Sequence, residues 1–422
     1  MTKEINKLVD HLFRHESGKL IAVLTNVFGP DQLELVEDVV QDSLVKAMRN
    51  WPYHGIPQNP SGWLYRVAKN EAINILKQGR IKQRRTVDPA FLERIQEESL
   101  VDEFLFSEKE IKDDQLRMIF TCCHPVITSD SQIALALKTL CGFSIAEISR
   151  AFLTPAENIN KRLVRARQAL RSHKVPFAVP VGPELPLRLK AVLDTIYLLF
   201  SEGYHASSGD QLIRFDLVEE AMRLGKLLLD HPAIAPKQSI HALLALIQLN
   251  ASRFAARQNA DGDIITLEHQ DRSLWNKAWI DQGLIHLQQS EPHRFLSKYH
   301  ILAIISSYHC TAPTFEQTNW VGILREYNRF LSVDNSEVVQ LNRSIALAKV
   351  EGAQAAIDTL VGLTTLENYH LYHSILGEFH IELHRWTAAI KALEKAESLA
   401  SLDKEKALVR ARIEYCIKKS GN

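Results

Sequence analysis

The chain has 422 residues, 46% of them apolar and 24% charged, a composition that excludes a disordered or fibrous protein and fits about two to three folded domains. Fifty Lys and Arg balance fifty Asp and Glu, so affinity for nucleic acid or an anionic surface cannot be drawn from the whole-chain charge and must be sought locally. Cys122, Cys123, Cys141, Cys310 and Cys416 are odd in number and scattered, which argues against a disulfide framework and for a reducing compartment.

The opening Met1-Thr2-Lys3-Glu4 leads straight into an amphipathic pattern. Neither a signal peptide nor an apolar run of membrane-spanning length is read, so a cytoplasmic protein is expected. Almost every segment reads as helix and almost none as strand. Residues 5–28 carry a helical period and stop at Gly29-Pro30. Asp31 then caps a helix of about five turns. Its apolar residues Leu33, Val36, Val40, Leu44 and Ala47 are expected inward, with Asp38, Gln41, Asp42 and Val45 on the other face. That outward face is either solvated or a docking surface for a protein.

Asn59 and Pro60 start a further helix through about Leu76. It carries Trp63, Arg66, Lys69, Asn70, Asn74 and Lys77. Aromatics interleaved with cations suit single-stranded or melted DNA, whose bases stack on rings while cations follow the phosphates. A Trp63 that packs the bundle is the plainer reading of a single aromatic. From Arg66 to Arg85 there are seven Lys/Arg and one acid, and from Asp88 to Asp114 ten Asp/Glu and three Lys/Arg. The acidic stretch has the composition of a disordered spacer and lies between this basic run and a second one. Thr121-Cys122-Cys123-His124-Pro125 brings potential metal donors together, yet adjacent residues cannot readily turn toward one tetrahedral centre, and a packed helix end is expected.

Ser144-Ile145-Ala146-Glu147 and Thr154-Pro155-Ala156-Glu157 read as two capping boxes opening two short helices across a turn at Leu153, which is helix-turn-helix spacing. In the second helix Ile159, Leu163, Ala166 and Leu170 form one buried stripe. Asn158, Asn160, Lys161, Arg162, Arg165 and Arg167 lie beside or opposite it, and from Lys161 to Lys174 there are six Lys/Arg and no acid. Amides and guanidinium groups on one helix suit base edges and phosphates in a major groove. A helical hairpin with a solvated basic face explains the same pattern.

The Pro-rich run Val175–Pro183 reads as a connector. Beyond it helical patterns resume in pairs. Leu376-Gly377 with Ala389, Leu393 and Ala396 matches the spacing of a roughly 34-residue tetratricopeptide unit, and Ala356 and Leu360 belong to a weaker copy. Between two apolar helices, Glu202, Tyr204, Ser207, Ser208 and Asp210 are candidate docking residues; a helix end followed by a helix start reads equally well. Asp261-Gly262-Asp263 lacks the acidic ladder of a calcium loop. His380 and His384 are not completed by a metalloprotease motif. No catalytic motif, cofactor or metal site is expected.

Three motifs stand in order: Glu37-Asp38-Val39-Val40-Gln41-Asp42-Ser43-Leu44-Val45-Lys46-Ala47, then Gly62-Trp63-Leu64-Tyr65-Arg66-Val67-Ala68-Lys69-Asn70, then Arg162-Leu163-Val164-Arg165-Ala166-Arg167. Over residues 5–175 they resemble the bacterial RNA polymerase sigma factors of the extracytoplasmic-function group. Tyr197-Leu198-Leu199-Phe200-Ser201-Glu202-Gly203-Tyr204 and Ser207-Ser208-Gly209-Asp210 resemble the branch with a C-terminal tetratricopeptide-like extension. The resemblance implies an all-α chain: sigma region 2 over 1–86, an acidic linker over 87–112, sigma region 4 over 113–175, a connector over 176–186 and a helical-repeat domain over 187–422. It implies that Asp38, Gln41 and Asp42 contact core RNA polymerase. It further implies that Trp63, Arg66, Lys69, Asn70, Asn74 and Lys77 meet the −10 element of promoter DNA, and that Asn158, Asn160, Lys161, Arg162, Arg165 and Arg167 meet the −35 element. The tail is then expected to regulate activity by contacting the sigma domains or a protein regulator. The rival class is a stand-alone helix-turn-helix regulator with a ligand- or peptide-sensing repeat domain, which has no use for the region from Asp31 to Arg85.

Overall fold

A computed structural model describes residues 2–77, 108–152, 154–204, 213–291 and 296–421. Among them are 18 α-helices and no strand, with one isolated bridge between Gln258 and Ile264, so the expected all-α class holds. The chain divides into two compact units, Met1–Leu199 with Lys226–Ala235, and Phe200–Gly225 with Pro236–Asn422.

The first unit holds α1 (Thr2–Phe28), α2 (Leu33–His54), α3 (Pro60–Lys77), α4 (Glu108–Cys122), α5 (Ser129–Thr139), α6 (Ile145–Ala151), α7 (Ala156–Ser172) and most of α8 (Glu184–Tyr204). Its axis is α1. Leu20, Ile21, Ala22, Val23 and Leu24 are buried in succession, and a helix that is apolar all round is a helix surrounded by others. Packed on it are α2, α3, α4 and α5, while α6 and α7 pack on α5. At one point α1 and α5 come so close that a Cβ on Gly18 would collide with the backbone carbonyl of Leu140.

Inward positions on α2 are as the period predicts: Leu33, Val36, Val40, Leu44 and Ala47 are buried. Its start differs. Asp31 lies in a 3-10 turn, Pro30–Gln32, and its side chain accepts from Gln32 Nε2 at 2.9 Å instead of capping the helix. Of the two capping boxes, only the first forms. Ser144 N donates to Glu147 Oε2 at 2.8 Å and Glu147 N to Ser144 Oγ at 3.2 Å. At the second, Pro155 takes the cap position itself and Thr154 Oγ1 donates back to Phe152 O at 2.9 Å, because a proline with extended ψ leaves no room for the threonine to face the first turn.

The second unit holds the rest of α8, most of α9 (Phe215–Asp230), and α10 (Gln238–Ala251), α11 (Lys277–Gln289), α12 (Lys298–Thr311), α13 (Trp320–Phe330), α14 (Glu337–Glu351), α15 (Ala353–Leu360), α16 (His370–Glu382), α17 (Trp386–Leu399) and α18 (Asp403–Ser420). From α10 onward each helix packs on the next, the nearest-neighbour pattern of stacked helix pairs. Gly377 of α16 sits where a Cβ would strike Leu393 of α17, and Ala389 and Leu393 are themselves buried. The small residue is there to let the two helices close.

Candidate nucleic-acid interface

Ile159, Leu163, Ala166 and Leu170 are each at most 1% exposed, so one narrow stripe anchors α7 and leaves most of its circumference in solvent. Asn158, Asn160, Lys161, Val164, Arg165 and Gln168 are exposed. Lys161 pairs with Glu157 on the same helix at 2.7 Å, and Arg162 reaches Asp130 of α5 at 3.1 Å. Arg165 is exposed and makes no ion pair among the described residues. Arg167 does something else: its side chain pairs with Glu37 of α2, both largely buried. Beside it Arg171 Nε donates to Asp31 O at 3.2 Å. Helical spacing signals only that Arg167 borders the stripe, since it follows Leu163 by four and precedes Leu170 by three. Burial pushes the Glu37 carboxyl above its ordinary range against the pull of Arg167 and Lys138.

On α3, Asn59 Oδ1 accepts from Gly62 N at 2.9 Å, the cap read from the sequence. Arg66, Asn70 and Asn74 are exposed on one side. Trp63 is half-buried, edge-on to Trp51 with ring centroids 5.4 Å apart, so its ring both packs the bundle and reaches solvent. Lys69 is 7% exposed, which separates it from that face; it follows buried Tyr65 by four and precedes buried Ala72 by three. Tyr65 OH donates to Glu16 Oε2 of α1 at 3.1 Å, and burial beside that carboxylate holds the phenol proton firmly. Lys77 has a side chain outside the described residues, as do Arg80–Arg85 and most of the acidic stretch.

On α2, Asp38, Gln41 and Asp42 are exposed together. Partial desolvation and the neighbouring Glu34 and Asp42 raise the Asp38 carboxyl above its usual range, the mark of a concentrated negative patch. Lys46 ties α2 to α3 through Glu71 at 2.6 Å, a pair that local sequence patterns do not announce.

Comparison with known proteins agrees with this geometry. The model of sigma-70 region 2 matches residues 12–81, and that of a family of unknown function, DUF6596, matches residues 188–291. The chain is 31% identical over 143 residues to the ECF RNA polymerase sigma-E factor of Salmonella typhimurium, covering 34% of this chain and 75% of that protein. The corresponding factor of Escherichia coli K12 is 30% identical over the same length. The chain belongs to the extracytoplasmic-function sigma factors. Over nearly its whole length, 91% of this sigma factor and 90% of the relative, it is 34% identical to an uncharacterized protein of Rhizobium meliloti. No solved structure matches it significantly.

In the tail of this sigma factor the candidate docking residues part company. Tyr204 ends α8 and its hydroxyl accepts from Arg253 Nη2 at 2.7 Å; Glu202 is half-buried two residues earlier. Ser207, Ser208 and Asp210 lie outside the described residues. The Cys122-Cys123 pair is buried, with one Sγ 3.3 Å from Thr139 Oγ1 and the other 3.4 Å from Thr195 Oγ1. Burial raises both thiols, Cys123 to about 11, so neither offers a ready thiolate. Among the described residues no helix is long and apolar enough to cross a membrane.

Proposed function

We propose that this sigma factor acts as a promoter-specificity subunit with its regulation built into the same chain. Asp38, Gln41 and Asp42 bind core RNA polymerase. Trp63, Arg66, Asn70, Asn74 and Lys77 contact the −10 element. Asn158, Asn160, Lys161, Arg162 and Arg165 read the −35 element as a helix-turn-helix. Lys69 and Arg167 serve the packing that holds these helices. The observation that carries the reading is that the sigma-70 region 2 match coincides with helices whose exposed faces are acidic on α2 and cationic and amide-bearing on α3. Phosphodiester chemistry belongs to the polymerase. The second unit is tetratricopeptide-like and docks a partner or controls the sigma helices.

Run-off transcription with purified core polymerase, with and without the protein, tests this on a pool of genomic promoters at fixed salt, since phosphate contacts make binding salt-dependent. New transcripts are expected only with the protein, and their loss is expected in an Asp38→Arg/Asp42→Arg variant. Duplex binding without core and no new transcripts would instead make the protein a stand-alone regulator.

A further inference from the structure

Buried arginines in the first unit have carboxylate partners: Arg167 pairs with Glu37, and Arg188, 5% exposed, with Glu184 at 3.0 Å. In the second unit Arg253, Arg257 and Arg272 break that rule, while half-buried Arg343, also without a carboxylate, donates to Asn328 Oδ1 at 2.6 Å. Arg253 is 8% exposed and Arg257 and Arg272 are half-buried, and none of the three has a carboxylate within ion-pair distance among the described residues. They are close together. The guanidinium carbons of Arg253 and Arg272 lie 5.8 and 4.4 Å from the centroid of the Trp275 ring. That of Arg257 lies 3.9 Å from the centroid of Tyr204, whose hydroxyl accepts from Arg253.

Part of this charge is balanced by helix ends. Arg257 Nη1 donates to Tyr204 O, the last residue of α8. Arg272 Nη1 donates to His309 O at 2.8 Å and Ala312 O at 2.7 Å at the end of α12. A helix C-terminus carries roughly half a negative charge, so two such ends leave about two positive charges over. Glu316 acts on Arg272 only at longer range. Arg272 Nη2, Arg253 Nε and His309 Nδ1 are buried and make no hydrogen bond. His309 is pushed down to about 3 by burial and by Arg253 and Arg272, so it stays neutral and adds no charge of its own. Concentrated, uncompensated buried charge is costly unless something pairs with it.

We propose that Arg253, Arg257 and Arg272, gathered on Tyr204, Trp275 and His309, form a binding site for a small oxyanion of the phosphate class. A phosphate dianion matches the residual charge, where a carboxylate supplies half of it. Planar guanidinium forks suit its oxygens. Tyr204 OH accepts from Arg253 and keeps its own proton to donate. The ligand is inorganic phosphate or the phosphate group of a small metabolite, and its seat lies in the segment matched by DUF6596 together with the end of α12.

Binding to the full-length chain is measured calorimetrically with inorganic phosphate, pyrophosphate and a nucleoside monophosphate, at constant ionic strength set with NaCl. Saturable one-to-one binding is expected, and whichever of the three binds tightest separates the free anion from a phosphorylated metabolite. In the same protein, phosphate is expected to shield Arg257 and Arg272 from phenylglyoxal, read by peptide mass mapping, while exposed Arg325 reacts regardless. An Arg257→Gln/Arg272→Gln variant with unchanged helical circular dichroism should bind about ten-fold or more weakly. If that variant does not fold, protection in the unmodified chain decides by itself. No saturable binding, or binding without protection of the two arginines, overturns the site. Because no polymerase is present, that failure leaves the sigma reading untouched.

Discussion

Single residues hold the first unit together in ways that can be separated from DNA binding. Gly18 is one: Gly18→Ala places a methyl group against the Leu140 carbonyl, and overpacking at a rigid backbone contact costs about 1–3 kcal/mol, to be read as a lower urea midpoint at unchanged slope. Asp114 is another. It is 1% exposed on α4, accepts from Asn26 Nδ2 of α1 at 3.4 Å and pairs with Arg117. Burial, helped by Glu110, outweighs Arg117 and Asn26 and lifts its carboxyl to about 7. The folded value lies above the unfolded one of about 3.9, so the folded protein holds this proton more tightly. The resulting stabilisation is complete below about pH 4 and is lost as pH rises to about 7. Melting temperature should therefore fall across that window less steeply in Asp114→Asn than in the parent. Equal slopes would remove Asp114 from the account. Arg165 and Arg167 form the sharpest contrast, two positions apart on one helix. Arg165→Ala should leave stability alone and lower the salt dependence of promoter binding by about one phosphate contact. Arg167→Ala leaves the Glu37 carboxylate buried without its partner and should cost about 3–5 kcal/mol in unfolding experiments.

At the scale of helices, what the sequence makes legible is what depends on neighbours three or four residues away. The stripes of α2 and α7 are of this kind, as are the Ser144 box and the Asn59 cap, because period and cap chemistry are local. The exposed faces of α2, α3 and α7 follow from the same period, and so do the residues proposed here to meet polymerase and DNA. Caps fail where a second local preference intervenes: Asp31 sits in a 3-10 turn after Pro30, and Pro155 displaces Thr154. Illegible are the pairings between distant segments, such as Glu37 with Arg167, Lys46 with Glu71 and Gly18 against Leu140. No spacing rule connects residues so far apart in the chain; only the fold does. The same holds for Arg253, Arg257 and Arg272, whose gathering no local spacing announces and which are set apart by what fails to pair with them. Lys69 and Arg167 show the intermediate case. Each borders an apolar stripe, where a long side chain is as well placed to lie against a neighbouring helix as to face DNA.

For the molecule as a whole, the Pro-rich connector is a boundary in composition, but the compact first unit continues past it through Leu199 and takes in Lys226–Ala235. Within that unit Arg188 of α8 donates to Phe120 O, Cys123 Sγ sits 3.4 Å from Thr195 Oγ1, and His231 lies 3.3 Å from Asp113. Val192, Leu193 and Ile196 are buried there as well. A chain ending at Lys174 therefore loses part of the first unit's own core, and any loss of transcription in it is not yet evidence of control by the tail. The direct readout is Cys123, 1% exposed in the full chain. Its thiol should resist an aromatic disulfide reagent under native conditions in the full-length protein and react within minutes after truncation at Lys174, with a lowered melting temperature. Equal protection in the two proteins would mean that residues up to 174 fold without α8, and truncation there would then be a clean test of regulation in cis. If protection is lost, regulation is better tested by substitutions confined to the second unit, beginning with Arg257 and Arg272, which leave the sigma helices and their supporting core in place.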